Sequence, residues 1–314
     1  MTTARIGCSV SRGKSGSDPA PPYNARVGLS LPPARPDEAL TGQPPDGVLP
    51  PGGRQRAVAR VQRPVERRRD AAPPAIVRVV LFDLDDTLFD HHHSSRRALE
   101  AVQRSHACFA GMPFEDLERA HMRHLEELHL DVMVGRVPID DARRERFRRL
   151  CVSAGVRADE ALVNASAMAY REAYVAARRA IAGAAALLGL VKARARVGIV
   201  SNNLLDEQRE KLRQCALAPF VDALVVSEEV GVSKPDPEIF RVALERLRCA
   251  PSDAVMVGDS WSADVLGARA AGIRAIWFNR HSTGPPDHGA DVEEIRALEP
   301  ADAVMRILFG SHRD

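Results

Sequence analysis

The apolar run Val79-Val80-Leu81-Phe82 ends abruptly in acid, at Asp83-Leu84-Asp85-Asp86-Thr87-Leu88. A short apolar run with β-branched residues reads as a strand buried on both faces. Asp83 and Asp85 are two residues apart, and in extended chain that spacing puts both carboxylates on one side of the strand end. Two like charges at one point repel, so a stable fold seldom places them together without a cation or a proton between them. A hard cation such as Mg2+ takes carboxylate oxygen and keeps water or substrate phosphate in its other positions. The competing reading is an acidic surface turn after a core strand, so the rest of the chain has to decide.

Behind the acidic stretch the pattern turns helical, with no convincing strand between about residues 94 and 180. Apolar residues recur at helical spacing, as in Leu99 and Val102, then Leu117, Met122, Leu125 and Leu128. Further helices are expected to start near Pro138-Ile139-Asp140 and Ala158-Asp159, where Asp suits a first turn. Past Ile181 strands and helices alternate. Val197–Val200, Ala223–Val226, Ala254–Val257 and Ala275–Phe278 read as strands, with helices at about 184–191, 205–215, 237–248 and 263–271. Such alternation predicts a parallel sheet covered on both faces, with ligands at the carboxyl ends of its strands. The polar punctuation falls at those ends: Asp83 and Asp85 after the first strand, Ser201-Asn202 after the second, Gly258-Asp259-Ser260 after a later one. Lys234, in Ser233-Lys234-Pro235-Asp236-Pro237, lies on a loop able to turn back over the same edge.

Taken in order, Asp83-x-Asp85-x-Thr87, Ser201, Lys234-Pro235 and Gly258-Asp259-Ser260 with Asp264 resemble the four motifs of the haloacid dehalogenase superfamily. The resemblance runs from about residue 76 to the C-terminus. The helices behind the first motif resemble the helical cap of the branch that holds phosphatases, nucleotidases, β-phosphoglucomutases and the dehalogenases. The resemblance implies an α/β fold: a Rossmann-like parallel sheet core from residues 75–93 and 181–314, with an inserted all-helical cap from 94–180. It also implies roles. Asp83 would attack phosphorus and form an aspartyl phosphate. Asp85 would act as acid and then base, and would offer the metal its backbone carbonyl. Mg2+ would sit between Asp83, Asp85 and Asp259. Ser201, Asn202 and nearby backbone N–H groups would hold phosphate oxygens, with Lys234 offsetting charge. Thr87 is placed either in that phosphate-binding set or as the fixing point of the turn. Asp264 would orient metal-bound water or Lys234. The implied reaction is Mg2+-dependent hydrolysis of a small phosphomonoester: a nucleoside monophosphate, phosphoglycolate or a sugar phosphate. The extended Phe82–Asp90 form resembles the pyrimidine nucleotidase-like members. A phosphosugar mutase would share the intermediate, whereas the dehalogenases lack the second Asp that this chain has as Asp85.

Other signals carry less. The formal net charge of +2 gives no argument for nucleic acid or an acidic membrane surface. Five scattered cysteines form no C-x-x-C pair, so neither a disulfide framework nor a zinc site is suggested, and a reducing cytoplasm is the simplest setting. No apolar run reaches the length of a membrane span. Residues 1–74 are a Pro- and Arg-rich leader with repeated Pro-Pro pairs and no apolar periodicity. Such a segment buries too little to offset its ordering entropy and is expected to be disordered. It reads as a dispensable extension or, in a non-catalytic alternative, as a partner-binding tail. His91-His92-His93 are expected in a loop, with diverging side chains. His121, His124 and His129 are expected on a solvated helix face. The Arg143–Arg149 run reads as charged helix surface, with Arg146, beside Phe147, the member that could reach substrate.

Overall fold

The computed structural model describes residues 76–133, 135–284 and 291–310. The leader, with the disorder expected of it, lies outside the described residues. Strand β1 (Val79–Phe82) is followed by four helices, α1 (His91–Ser105), α2 (Phe114–Met133), α3 (Ile139–Ser153) and α4 (Glu160–Ala176). Then come α5 (Ala184–Lys192), β2 (Arg196–Ser201), α6 (Leu205–Gln214), β3 (Ala223–Val226), α7 (Ser227–Val230) and α8 (Pro237–Arg246). The chain continues through β4 (Ala254–Gly258), a π-helical turn at Trp261–Leu266, α9 (Gly267–Ala270), β5 (Arg274–Phe278), β6 (Glu293–Ile295) and α10 (Ala301–Phe309). The six strands form one parallel sheet in the order β3-β2-β1-β4-β5-β6. This is a Rossmann-like α/β core with an inserted helical cap.

The strand order explains why β1 reads as uninterrupted apolar sequence. It lies between β2 and β4, and both of its faces are covered. Val80 and Phe82 join the larger core cluster with α5, α10 and the inserted helices, while Val79 and Leu81 join α8 and α9 on the other face. The chain leaves β1 to one side and later crosses to the other, so β1 sits where the order reverses. In open α/β sheets a crevice forms at that point, outside the carboxyl ends. β6 and α10 were not expected from the sequence. β6 is three residues long and begins Glu293-Glu294, too short and too acidic for a strand pattern to register.

Two linkers join the insertion to the sheet, and they pair. Asp90 N–H donates to the Arg179 carbonyl, and Ile181 N–H donates to the Leu88 carbonyl. Asp90 caps α1 and accepts from Arg179 and Arg280 as well. Burial favours its neutral form, but the Arg280 and Arg179 bonds outweigh that and hold its carboxyl down at about 2. This cap starts α1 at His91 rather than near Ser94, so the three histidines occupy a helical turn and not a loop. They do diverge: His91 Nδ1 hydrogen-bonds the Tyr174 hydroxyl at 2.8 Å, whereas the His92 ring lies against His281.

The insertion also departs from expectation at α2. His121 and His124 are buried, not solvated. α2 packs against α3, and its covered face is wide enough to enclose His121 between Phe147 and Tyr170. A further tie crosses from the helices to the sheet layer. Glu207 on α6 accepts from Arg143 of α3, Arg171 of α4 and Arg178 of the return linker. Three guanidinium groups on one largely buried carboxylate form a network, and networks hold where isolated surface pairs do not. Glu207→Gln is expected to cost about 1–2 kcal/mol, discounted from the fully buried case for its remaining exposure. Hydrogen exchange should then speed up in α3 and α4 and stay unchanged in β1, β2 and β4. Uniform acceleration across the sheet would show that Glu207 does not act as a local tie.

Candidate active site

β1, β2 and β4 end side by side in register, with Phe82 opposite Ile199 and Val257. Asp83 follows β1, Ser201 closes β2, and Asp259 follows β4, so parallel pairing alone brings them to one edge. The backbone turns sharply at once. The Leu84 carbonyl accepts from the N–H groups of Thr87, Leu88 and Phe89, and Asp86 takes the left-handed conformation at φ 62°. Lys234 arrives from the loop before α8. Asn202 fixes that loop: its Nδ2 donates to the Lys234 carbonyl, and the Lys234 N–H donates to its Oδ1. The Lys234 ammonium then donates to Asp83 and to Asp264, both at 2.6 Å. Asp264 accepts in addition from the Ser260 N–H. A Cβ at Gly258 would collide with the Asp264 carboxylate, so the glycine of Gly258-Asp259-Ser260 is what lets that side chain lie over the strand end.

One oxygen from each of Asp83, Asp259 and Asp264 falls within a 4.8 Å group. Against three carboxylates stands one ammonium. Burial raises Asp83, Lys234 pulls it back, Asp264 and Asp85 raise it again, and the balance is a carboxyl pushed up to about 7. Burial, and then Asp83, push Asp259 well above the carboxylate range. Lys234 responds oppositely: burial disfavours its charge, but Asp264 and Asp83 overrule it and keep it protonated. Negative charge here exceeds what Lys234 can compensate. The donor set is all hard oxygen and the excess is negative, so it fits a divalent cation of the Mg2+ kind. Asp83 and Asp259 could hold it: both oxygens of Asp264 are engaged, by Lys234 and by the Ser260 N–H, whereas Lys234 takes one oxygen of Asp83.

Asp85 stands apart from that cluster. It accepts from the Lys211 ammonium at 2.5 Å, from Gln208 at 2.9 Å and from Asn203 at 3.0 Å. Burial raises its proton affinity, but Lys211, His91 and Gln208 outweigh it and hold the carboxyl below the usual range. Gln208 also donates to Ser201 Oγ at 2.6 Å, tying the acid to the hydroxyl of β2. Thr87 is fully buried, and its hydroxyl both donates to Asp259 and accepts from the Asp259 N–H. That placement fixes the turn to β4. The Asn202 side-chain amide is likewise spent on the Lys234 loop. Lys211, Gln208 and Asn203 were not singled out in the sequence. α6 reads as a polar helix, yet Gln208, Lys211 and Leu212 share its buried face. A lysine on the covered stripe of a helix needs a buried acid, and that was the available signal.

A family model for haloacid dehalogenase-like hydrolase matches residues 77–272. The chain belongs to that family. It is 29% identical over 232 residues to the pyrimidine 5'-nucleotidase YjjG of Escherichia coli, covering 72% of this chain and 96% of that one. It is 30% identical over 237 residues to a glyceraldehyde 3-phosphate phosphatase of Methanothermobacter thermautotrophicus, covering 73% of this chain and all of the relative. Among solved structures, the HAD-hydrolase YfnB of Bacillus subtilis, bound to magnesium, superposes with a TM-score of 0.59 at 27% identity. That alignment covers 73% of this chain and 99% of YfnB. The protein is thus a phosphatase-type hydrolase of this family, and no helix among the described residues is long and apolar enough to cross a membrane.

The charge excess makes a prediction that needs no substrate. Asp259→Asn removes one carboxylate from a group with too many, so in EDTA its unfolding temperature should rise above wild type. A gain of about 1 kcal/mol corresponds to about 2–4 °C at this size. Millimolar Mg2+ should stabilise the wild type and not the variant. A destabilised variant that still responds to Mg2+ would contradict the assignment of Asp259 to the cation.

Proposed function

We propose that this protein hydrolyses a small phosphomonoester with Mg2+ bound, through a phosphoryl group carried transiently on Asp83. The observation that carries the reading is the cluster of Asp83, Asp259 and Asp264, with Lys234 bonded to the first and last, and a second acid, Asp85, two residues from the nucleophile. Mg2+ held by Asp83 and Asp259 would neutralise charge on the transferring phosphoryl group.

The chain's own residues supply the rest. Lys234 holds Asp83 in place and lowers the cost of a second anion approaching it. Ser201, with backbone N–H groups at the start of α6, offers donors to phosphate oxygens. An Asp83 oxygen attacks phosphorus, the bond from phosphorus to the ester oxygen breaks, and that oxygen leaves with a proton from Asp85. Water then attacks the phosphoaspartate, giving its proton to Asp85, and the bond from phosphorus to Asp83 breaks to release phosphate. As found, Asp85 is ionised by Lys211 and suits the second half. A phosphate dianion beside it raises its proton affinity by like-charge repulsion and so favours the first half.

Asp85 also favours phosphoryl transfer over dehalogenation, whose ester intermediate needs no second acid. A panel of phosphate esters assayed by phosphate release tests the proposal. Release should require Mg2+, disappear in EDTA, and fall by at least about 10³-fold in Asp83→Asn, the scale on which a nucleophile is lost. Release that survives in Asp83→Asn, or that is indifferent to EDTA, would reject it. A hexose 1-phosphate converted to its 6-phosphate without free phosphate would point to the mutase instead.

A further inference from the structure

Inside the helical insertion sits a cation with no counter-ion among the described residues. α3 carries five arginines, and four of them have carboxylate partners: Arg143 with Asp140, Arg144 with Asp141, Arg148 with Glu160 and Arg149 with Glu145. Arg146 is the fifth. It is only 8% exposed, and no carboxylate among the described residues pairs with it. Its Nε is sealed without a hydrogen-bond partner. The guanidinium lies 5.4 Å from the ring centre of Tyr170 and 6.0 Å from that of Phe147. His121 packs on the same two rings, fully buried, with neither ring nitrogen hydrogen-bonded.

Burying a charge without a partner is costly, and cation–π contact recovers only part of that cost. The deficit is concentrated at one point, where Arg146 brings donors and neutral His121 adds one N–H beside one acceptor nitrogen. Arg146 offers donors only, His121 is kept neutral by burial, and the titratable groups that act on Arg146 are Arg143, Tyr170 and Tyr174. What completes such a point is an acceptor-rich anion.

Arg146 connects to the chemistry through a column of rings. Tyr170 stacks on Tyr174 with centroids 5.9 Å apart, and the Tyr174 hydroxyl bonds His91. Tyr174 also meets the Phe89 ring edge-on, and the Lys211 ammonium that bonds Asp85 lies 5.0 Å from the Phe89 ring centre, so the column ends beside Asp85. Resting on the hydrolase reading above, we infer that Arg146 and His121 bind a second anionic oxygen group, a carboxylate or a phosphate, carried on the leaving group of the ester cleaved at Asp83.

Matched substrates test this. 3-Phosphoglycerate and glycerol 3-phosphate differ by a carboxylate for a hydroxymethyl group, and fructose 1,6-bisphosphate and fructose 6-phosphate by one phosphate. With UMP as a fifth ester, kcat/KM is measured for wild type, Arg146→Met, Arg146→Lys and the exposed control Arg144→Met. In wild type the anionic member of one pair should exceed its neutral partner by about 10–100-fold, the scale of a charged hydrogen bond. The pair that responds identifies the anion. Arg146→Met should bring the ratio close to one, Arg146→Lys should restore part of it, and Arg144→Met should keep it. Arg146→Met should also be at least as stable to heat as wild type, because an uncompensated buried charge is gone. Equal kcat/KM within both pairs, a ratio that survives Arg146→Met, a marked preference for UMP, or an Arg146→Met variant that unfolds would each overturn the inference alone. No release from any of the five esters would overturn the hydrolase reading and the inference together.

Discussion

One ammonium among three clustered carboxylates, two buried and one half-buried, governs this structure. Lys234 reaches Asp83 and Asp264 together, and Asp259 completes the group with no cation of its own. Such an excess of buried negative charge is costly, and a fold keeps it only where something positive arrives. The sheet is built to hold these side chains still. β1 is paired on both sides, Asn202 fixes the Lys234 loop, Thr87 ties the turn after β1 to Asp259, and Gly258 makes room for Asp264. Each contact restricts one member of the group, so the site is organised before any ligand enters.

Around that centre the molecule divides the work by charge. The sheet edge carries the acids and the ammonium that balances them in part. The insertion presents the opposite surface: histidines, tyrosines and an unpaired guanidinium. Asp85 lies between, engaged by Lys211 from below and within the field of His91 and His129 from the insertion. The paired linkers at Asp90 and Arg179, with the three arginines on Glu207, set how the two layers meet. On the proposed function, chemistry belongs to the strand ends and recognition of the leaving group to the helices.

Much of the sheet edge was legible in the sequence because its signals are local. An apolar run that breaks into acid marks a strand end, and parallel pairing then gathers Asp83, Ser201 and Asp259 without further information. Lys211 was not legible in this way. Its meaning depends on which face of α6 is covered, and that is set by packing against the Asp83–Phe89 turn, more than a hundred residues earlier in the chain. The buried histidines of α2 escaped for a related reason: imidazole is polar by composition, yet Phe147 and Tyr170 enclose His121 through contacts across three helices. Arg146 lies at the boundary. Its neighbour Phe147 hinted at a covered position, but only the absence of a carboxylate partner gives it meaning.

The central claim is that Asp83 itself carries the phosphoryl group. The most direct measurement is acid quench of the enzyme during turnover of a cleaved ester, followed by proteolysis and mass spectrometry of the peptide containing Asp83. One phosphoryl group is expected on that peptide, labile to hydroxylamine and absent in Asp83→Asn. Steady turnover with that peptide unmodified at every quench time, or with the phosphoryl group on another residue, would contradict it.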